Sequence, residues 1–351
     1  MSRTPAGGRR RLDPTEQLGY DMPTREPRIT SNSLYRMFAS SVFVIWIVAV
    51  LAAGTTVVAV GTPTWIERPA AAVLMIIFAL GLTHRGGGRM RIWVPMVTVL
   101  AVAALVAQTN VLIAAAAALT AVLAAVFAVM NTRPASNIRG TIAEYVMALV
   151  TALSGTLAVA AWNAPVNYQR FNLVVIGAAM ALVMVMVWNL GAGLHGLGRQ
   201  GLLIPVGGAL LLLLVLTYSS FVRAQGSQTV IDAIDQVVLF LRQYFGGVPR
   251  PVEVLIGFPA LVVGVSVRSK HREGWWILIF AVIGTAVLTT SLVTPGALPS
   301  YIGLSTLYSS ILGLAFGLVA RHFALRERSS RASRAIEEAT RVEPPRSAPL
   351  K

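Results

Sequence analysis

The chain has no cysteine among its 351 residues, which excludes disulfides, thiolate metal sites and cysteine nucleophiles. Lysine is nearly absent too: of 29 basic residues only Lys270 and Lys351 are lysine, so arginine carries the basic character. Acids number 14, and charged residues of all kinds make up 12% of the chain. Their distribution is more telling than their scarcity. Apolar stretches recur from Met37 to Ala320 with no Asp, Glu, Lys or Arg inside them. A run of about 20 apolar residues matches the roughly 30 Å hydrocarbon layer of a bilayer, and a helix satisfies its own backbone polar groups there. At 56% hydrophobic content, little sequence remains for a soluble domain.

These stretches predict an all-α, polytopic membrane bundle of ten transmembrane helices: Met37–Val60, Pro69–Thr83, Ile92–Ala107, Val111–Met130, Tyr145–Trp162, Phe171–Gly193, Leu202–Ser220, Val254–Val267, Trp275–Val293 and Tyr301–Ala320. Residues 1–36 then form a disordered basic tail, 37–320 the membrane domain and 321–351 a second basic tail. The first apolar run exceeds a signal-peptide core and has no convincing small-residue cleavage site after it, so it is expected to be a retained span. Gln108-Thr109-Asn110 interrupts an apolar stretch too long for one crossing, and its polar residues suit a tight turn between two helices.

Charge tests this plan independently. With ten crossings, 24 basic residues fall on the side of both termini and five on the other: Arg68, Arg170, Arg223, Arg242 and Arg250. The positive-inside rule therefore puts both termini in the cytoplasm of a plasma (inner) membrane protein. All tryptophans but Trp46 fall near span ends, as an interfacial belt requires. Because the arginines line alternate loops rather than one stripe, the net charge of +15 points to anionic lipid at the cytoplasmic loops, not nucleic acid. His84–Arg91 (HRGGGRMR) is one such loop; it lacks the Lys-Ser/Thr ending of a phosphate loop.

Two regions are irregular. The eighth span is short and carries Gly257 and Pro259, which suggests a gating element: a broken or partly re-entrant helix, or a tilted span kinked at proline. The connection 221–253 is the longest on the outer side. Within it Ile231, Ile234, Val238, Leu241 and Phe245 form one stripe, Thr229 and Asp232 a capping pair, and Gly246-Gly247 a stop. This predicts an amphipathic helix over Thr229–Phe245, lying on the outer membrane face or closing a cavity mouth.

Chemistry is sparse. No acid lies inside a predicted span, which argues against the mid-membrane ionisable group of an ion-coupled carrier. His84, His195, His271 and His322 sit apart at span ends, so neither a metal site nor another cofactor is expected. Asn189, Ser305, Thr306 and Ser309 are candidate substrate-binding groups within spans, although such residues also join helices, as Gly313 and Gly317 do by close packing. The external acids Asp232, Asp235, Glu253 and Glu67 are candidate catalytic bases if the chain is an enzyme acting on a lipid-linked substrate. In its ten-span plan and long outer loop after span seven, with Leu298-Pro299-Ser300-Tyr301 before the last span and a basic tail, the chain resembles the peptidoglycan polymerases of the shape, elongation, division and sporulation group. That family's acid-bearing loop signature and its early aromatic and basic pattern have no counterpart here.

Three functions fit this reading. The first is a permease or flippase for a neutral, amphipathic or lipid-linked solute. The second is a non-catalytic membrane subunit assembling with partners in the cell envelope or in secretion. The third is a polyprenyl-phosphate-dependent glycosyltransferase working at the outer face.

Overall fold

The computed structural model describes residues 31–58, 64–190, 228–269, 274–293, 298–328 and 346–350. Their regular structure is all helical, with no strand among the described residues. Eight helices are long and apolar enough to cross a membrane, which makes the chain a multi-pass helical membrane protein by length and composition. The predicted seventh span, Leu202–Ser220, and Asp235's side chain lie outside the described residues. The chain divides into two compact units, Met1–Val44 and Ile45–Lys351. In the first, Ser40 and Ser41 return their hydroxyls to the Met37 carbonyl at 2.9 Å, which keeps both polar groups satisfied within the helix.

The helices are α1 (Ser31–Gly54), α2 (Thr64–Arg85), α3 (Met90–Ala107), α4 (Asn110–Met130), α5 (Ile138–Ala161) and α6 (Tyr168–Asn189), followed by α7 (Gln228–Phe245), α8 (Phe258–Arg268), α9 (Gly274–Thr289) and α10 (Pro299–Arg328). Gln108, in the left-handed region at φ 49°, closes α3, and the Thr109 hydroxyl accepts from the Leu112 amide to open α4. The three polar residues thus turn the chain in the tight hairpin their chemistry favours. Asn137 and Asn167 cap α5 and α6 in the same way.

α9 is the axis of the larger unit. It is apolar on all sides, the pattern of a helix enclosed by others, and 83% of the segment Gly274–Val293 is buried. α4, α5, α6, α8 and α10 surround it, directly or through the turns that adjoin it. Alanines along α4 and glycines at the crossings let the backbones approach, as packing between membrane helices requires. Gly155 meets Ala124, Gly264 meets Leu278, and Gly313 and Gly317 seat Phe258 and Val262 of α8. Gly313 and Gly317 are therefore a packing step.

The two ends of the bundle differ. At one, which we call the basic end, buried Arg85 donates to the Met130 and Ala348 carbonyls, and buried Arg268 to the Thr132 carbonyl while lying 4.2 Å over the Trp275 ring. Arg321 reaches Ser266 and the Ser136 carbonyl. Arg85, expected to face lipid from the His84–Arg91 loop, is instead turned into protein, because helix-end carbonyls need donors where the chain leaves regular structure. The Leu350 amide donates to the Arg85 carbonyl and Arg346 pairs with Glu144, so residues 346–350 lie across the ends of α2, α4 and α5. At the opposite end Thr156 donates to the Leu288 carbonyl, Thr290 to Asn172, and the Trp162 indole to Thr120.

Candidate functional site

The predicted eighth span is helical but carries a π turn, and irregular chain leads into it. α7 ends at Phe245, Gly246 takes φ +68°, and the chain runs without regular structure to Arg250. A π-helical turn, Glu253–Gly257, then leads into the 11 residues of α8. Proline at 249, 251 and 259 removes backbone donors along this path, so a continuous α-helix cannot form. A π turn of this kind commonly marks a functional position.

The irregular segment does not stay outside the bundle. It descends along α10. The Arg242 guanidinium lies 5.4 Å from the centre of the Tyr301 ring, and the Tyr308 hydroxyl donates to the Phe245 carbonyl at 2.9 Å. A Cβ on Gly247 would lie 2.7 Å from the Ser305 amide nitrogen, so only glycine permits this approach. Ser305 then donates to the Val248 carbonyl, and Ser309 accepts from the Arg250 amide at 2.8 Å. Two serines one helical turn apart replace hydrogen bonds that this backbone would otherwise lack in an apolar surround.

At the foot of this ladder is an ion pair. The Arg250 guanidinium nitrogen NH1 donates to Glu253 Oε1 at 2.7 Å; the Glu253 side chain is fully buried and that of Arg250 is 22% exposed. Glu253 Oε2 has no hydrogen-bond partner. Tyr145 of α5 is close enough to sense the Glu253 charge, donates to the Ser310 carbonyl at 2.8 Å and meets the Phe258 ring edge-on. Ser309 stands about 15 Å along α10 from Pro299 and about 18 Å from Arg321, at roughly 1.5 Å per residue. Glu253, read from the sequence as an acid of the outer loop, is therefore enclosed by protein beside the middle of α10. Three prolines and two glycines let the chain re-enter the bundle, so Arg250 and Glu253, which read as loop residues, end beside the middle of a span.

Other candidate residues are placed separately. Ser305, Thr306 and Ser309 are buried on α10, with Ser305 and Ser309 on the re-entrant segment. Asn189 is the exposed last residue of α6 and does not join them. Asp232 is exposed on α7. Glu67 is half-buried in the first turn of α2, where its charge complements the helix dipole. Gly257 and Pro259 are packed tightly, Gly257 against Gly284 of α9 and Pro259 beside Gly317. The helix expected over Thr229–Phe245 falls within α7, and its described contacts run to α10. No cluster of metal-ligating side chains occurs among the described residues.

A concavity lies at the end opposite the basic one. It holds about 230 Å³ and is lined by Thr56, Val57, Asn163, Phe171, Val293 and Pro299, among others. That is smaller than the roughly 300 to 1,000 Å³ of a typical organic-ligand site.

No family model, curated protein or solved structure matches this chain. The resemblance to peptidoglycan polymerases thus stays at the level of span plan and a few residues. Sequence reasoning missed Arg250 and Tyr145 as site residues. The available signal was the Arg250-to-Glu253 spacing of three, which pairs opposite charges on one helical face, flanked by prolines and followed by the Ser305 and Ser309 pair on the last span.

Proposed function

We propose that the protein is a carrier, a permease or flippase for an amphipathic or lipid-linked solute, in the plasma membrane with both termini cytoplasmic. The observation that supports this is the Arg250–Glu253 pair, with Glu253 fully buried at the start of a π turn and Arg250 in the irregular chain before it. Ionisable groups at such depth are costly to bury, and those found there usually mark a pathway. Discontinuous helices near mid-membrane are also the usual binding elements of secondary transporters. Ser305 and Ser309, already used by this segment, would be uncovered whenever it moves away from α10.

The glycosyltransferase reading requires a base at the outer water interface. Glu253 is enclosed by protein, which leaves Asp232, Asp235 and Glu67 to carry the role.

The absence of cysteine makes the test clean. Ser305→Cys and Ser309→Cys, made singly, should react with a membrane-impermeant maleimide from one side of oriented vesicles, and from the other side in a second state of the cycle. Reaction from neither side, in protein that accumulates normally, would overturn the carrier and favour the non-catalytic subunit. Reaction from the outer side alone, with cellular activity lost in Asp232→Ala, would favour the enzyme.

A further inference from the structure

We infer that Glu253 is a proton-binding residue, that Arg250 is its exchangeable counter-ion, and that the solute presents an anionic group, phosphate or carboxylate, which takes the place of Glu253 on Arg250. This rests on the carrier reading and adds an energy source and a solute class to it. Three observations carry it. Glu253 is fully enclosed while the Arg250 side chain remains 22% exposed, so Arg250 is the member of the pair that an arriving anion can reach. Glu253 Oε2 is buried without a hydrogen-bond partner, which leaves a lone pair in place for a proton. Glu253 opens a π turn, a helical form that often marks a functional position, and Arg250 lies in the irregular chain just before it.

The exchange is linked by charge. An unpaired ion in the apolar layer is strongly disfavoured, so Arg250 cannot leave Glu253 without a second anion, and Glu253 cannot lose Arg250 without neutralisation. In the free state Arg250 is cationic and Glu253 anionic. In the loaded state Oε2 has bonded a proton taken from water, the Arg250 contact to Oε1 has broken, and the guanidinium holds the solute's negative charge. Both states are neutral as a unit, so one proton accompanies one negative charge. Among the described residues no second carboxylate pairs with Arg250. From α5 the neighbour is the Tyr145 phenol, and from α10 it is Ser309, Tyr308 being turned to the Phe245 carbonyl. α9 has no ionisable residue, and Arg268 lies at the far end of α8.

The test uses the full-length protein in phosphatidylcholine nanodiscs. Infrared difference spectra across a pH titration should show a carboxylic-acid carbonyl band that grows as pH falls and is absent in Glu253→Gln. In Arg250→Gln the band should already be present at alkaline pH, because the carboxyl has lost its cation. A spectrum unchanged between the native protein and Glu253→Gln, or lacking the band in both the native protein and Arg250→Gln, would overturn the proposal. If Glu253→Gln does not accumulate, Glu253→Asp must change the band's frequency, and an unchanged frequency refutes the assignment.

The solute class has its own arm. Dodecyl phosphate or dodecanoate, added in weak buffer with a pH indicator, should draw about one proton per chain into the native protein. The uptake should vanish in Glu253→Gln and be absent with dodecyltrimethylammonium, after subtraction of protein-free nanodiscs. Uptake with one anion alone identifies the head group, and uptake with neither refutes the anionic solute. Two-sided labelling of Ser305→Cys with no titrating Glu253 would keep the carrier and remove proton coupling. A titrating Glu253 with no two-sided labelling would remove the carrier instead.

Discussion

Gly257 of the π turn and Gly284 of α9 face each other backbone to backbone: a methyl group on Gly257 would lie 2.3 Å from the Gly284 Cα. The contact fixes the irregular segment against the bundle axis at the point where α8 begins. The sequence suggests a gating element at Gly257 and Pro259, and any motion there must first separate this contact.

Gly257→Ala should destabilise the protein by about 1 to 3 kcal/mol, because neither backbone can yield without displacing its helix. Gly177→Ala and Gly303→Ala, where an added methyl meets nothing within 4 Å, should be neutral or slightly stabilising. Thermal unfolding in one detergent, followed by circular dichroism, checks all three. Equal melting temperatures for Gly257→Ala and Gly177→Ala would remove the packing account.

Ser305→Ala and Ser309→Ala should each loosen the segment 246–253, with a cost of about 1 to 3 kcal/mol for a buried backbone group left without its partner. The Val248 carbonyl loses its donor in the first and the Arg250 amide its acceptor in the second. Hydrogen exchange should rise at the amide of Arg250 in Ser309→Ala while α4 and α9 stay protected. Ser310→Ala, which removes only a bond to the Leu307 carbonyl within α10, should leave exchange at Arg250 unchanged. Indistinguishable exchange in all three variants would mean that the serines do not hold the segment.

Deleting residues 346–351 should weaken the basic end more than Arg346→Ala does. Arg346 and Glu144 are both partly exposed, and such pairs contribute about 0 to 1 kcal/mol. The deletion also removes the Ala348 carbonyl that accepts from buried Arg85 and the Leu350 amide that donates to the Arg85 carbonyl, worth about 1 to 3 kcal/mol for a bond to a charged group. Melting temperatures of the two variants decide it, and equal values would show that this segment does not brace the loop ends.

The distribution of arginine predicts the orientation. A reporter fused after Lys351, or inserted between Arg268 and Glu273, should be cytoplasmic, and one at Gln225 external. A Gln225 reporter found inside would overturn the ten-span plan and move the outer face to the other end of the bundle.

Composition and periodicity determined the helical membrane bundle, because bilayer thickness and backbone satisfaction leave an apolar run of that length few alternatives. The Gln108-Thr109-Asn110 turn and the Gly313 and Gly317 packing step were legible for the same reason: each depends on side chains local to it. The site was not. Residues 246–253 carry polar and charged groups separated by proline and glycine, and taken alone they read as an exposed loop. Their burial depends on Ser305 and Ser309, which lie 57 and 59 positions beyond their partners Val248 and Arg250. Only tertiary structure brings those serines to the segment and encloses the Arg250–Glu253 pair, since hydrogen bonds across that distance leave no periodic trace in the sequence.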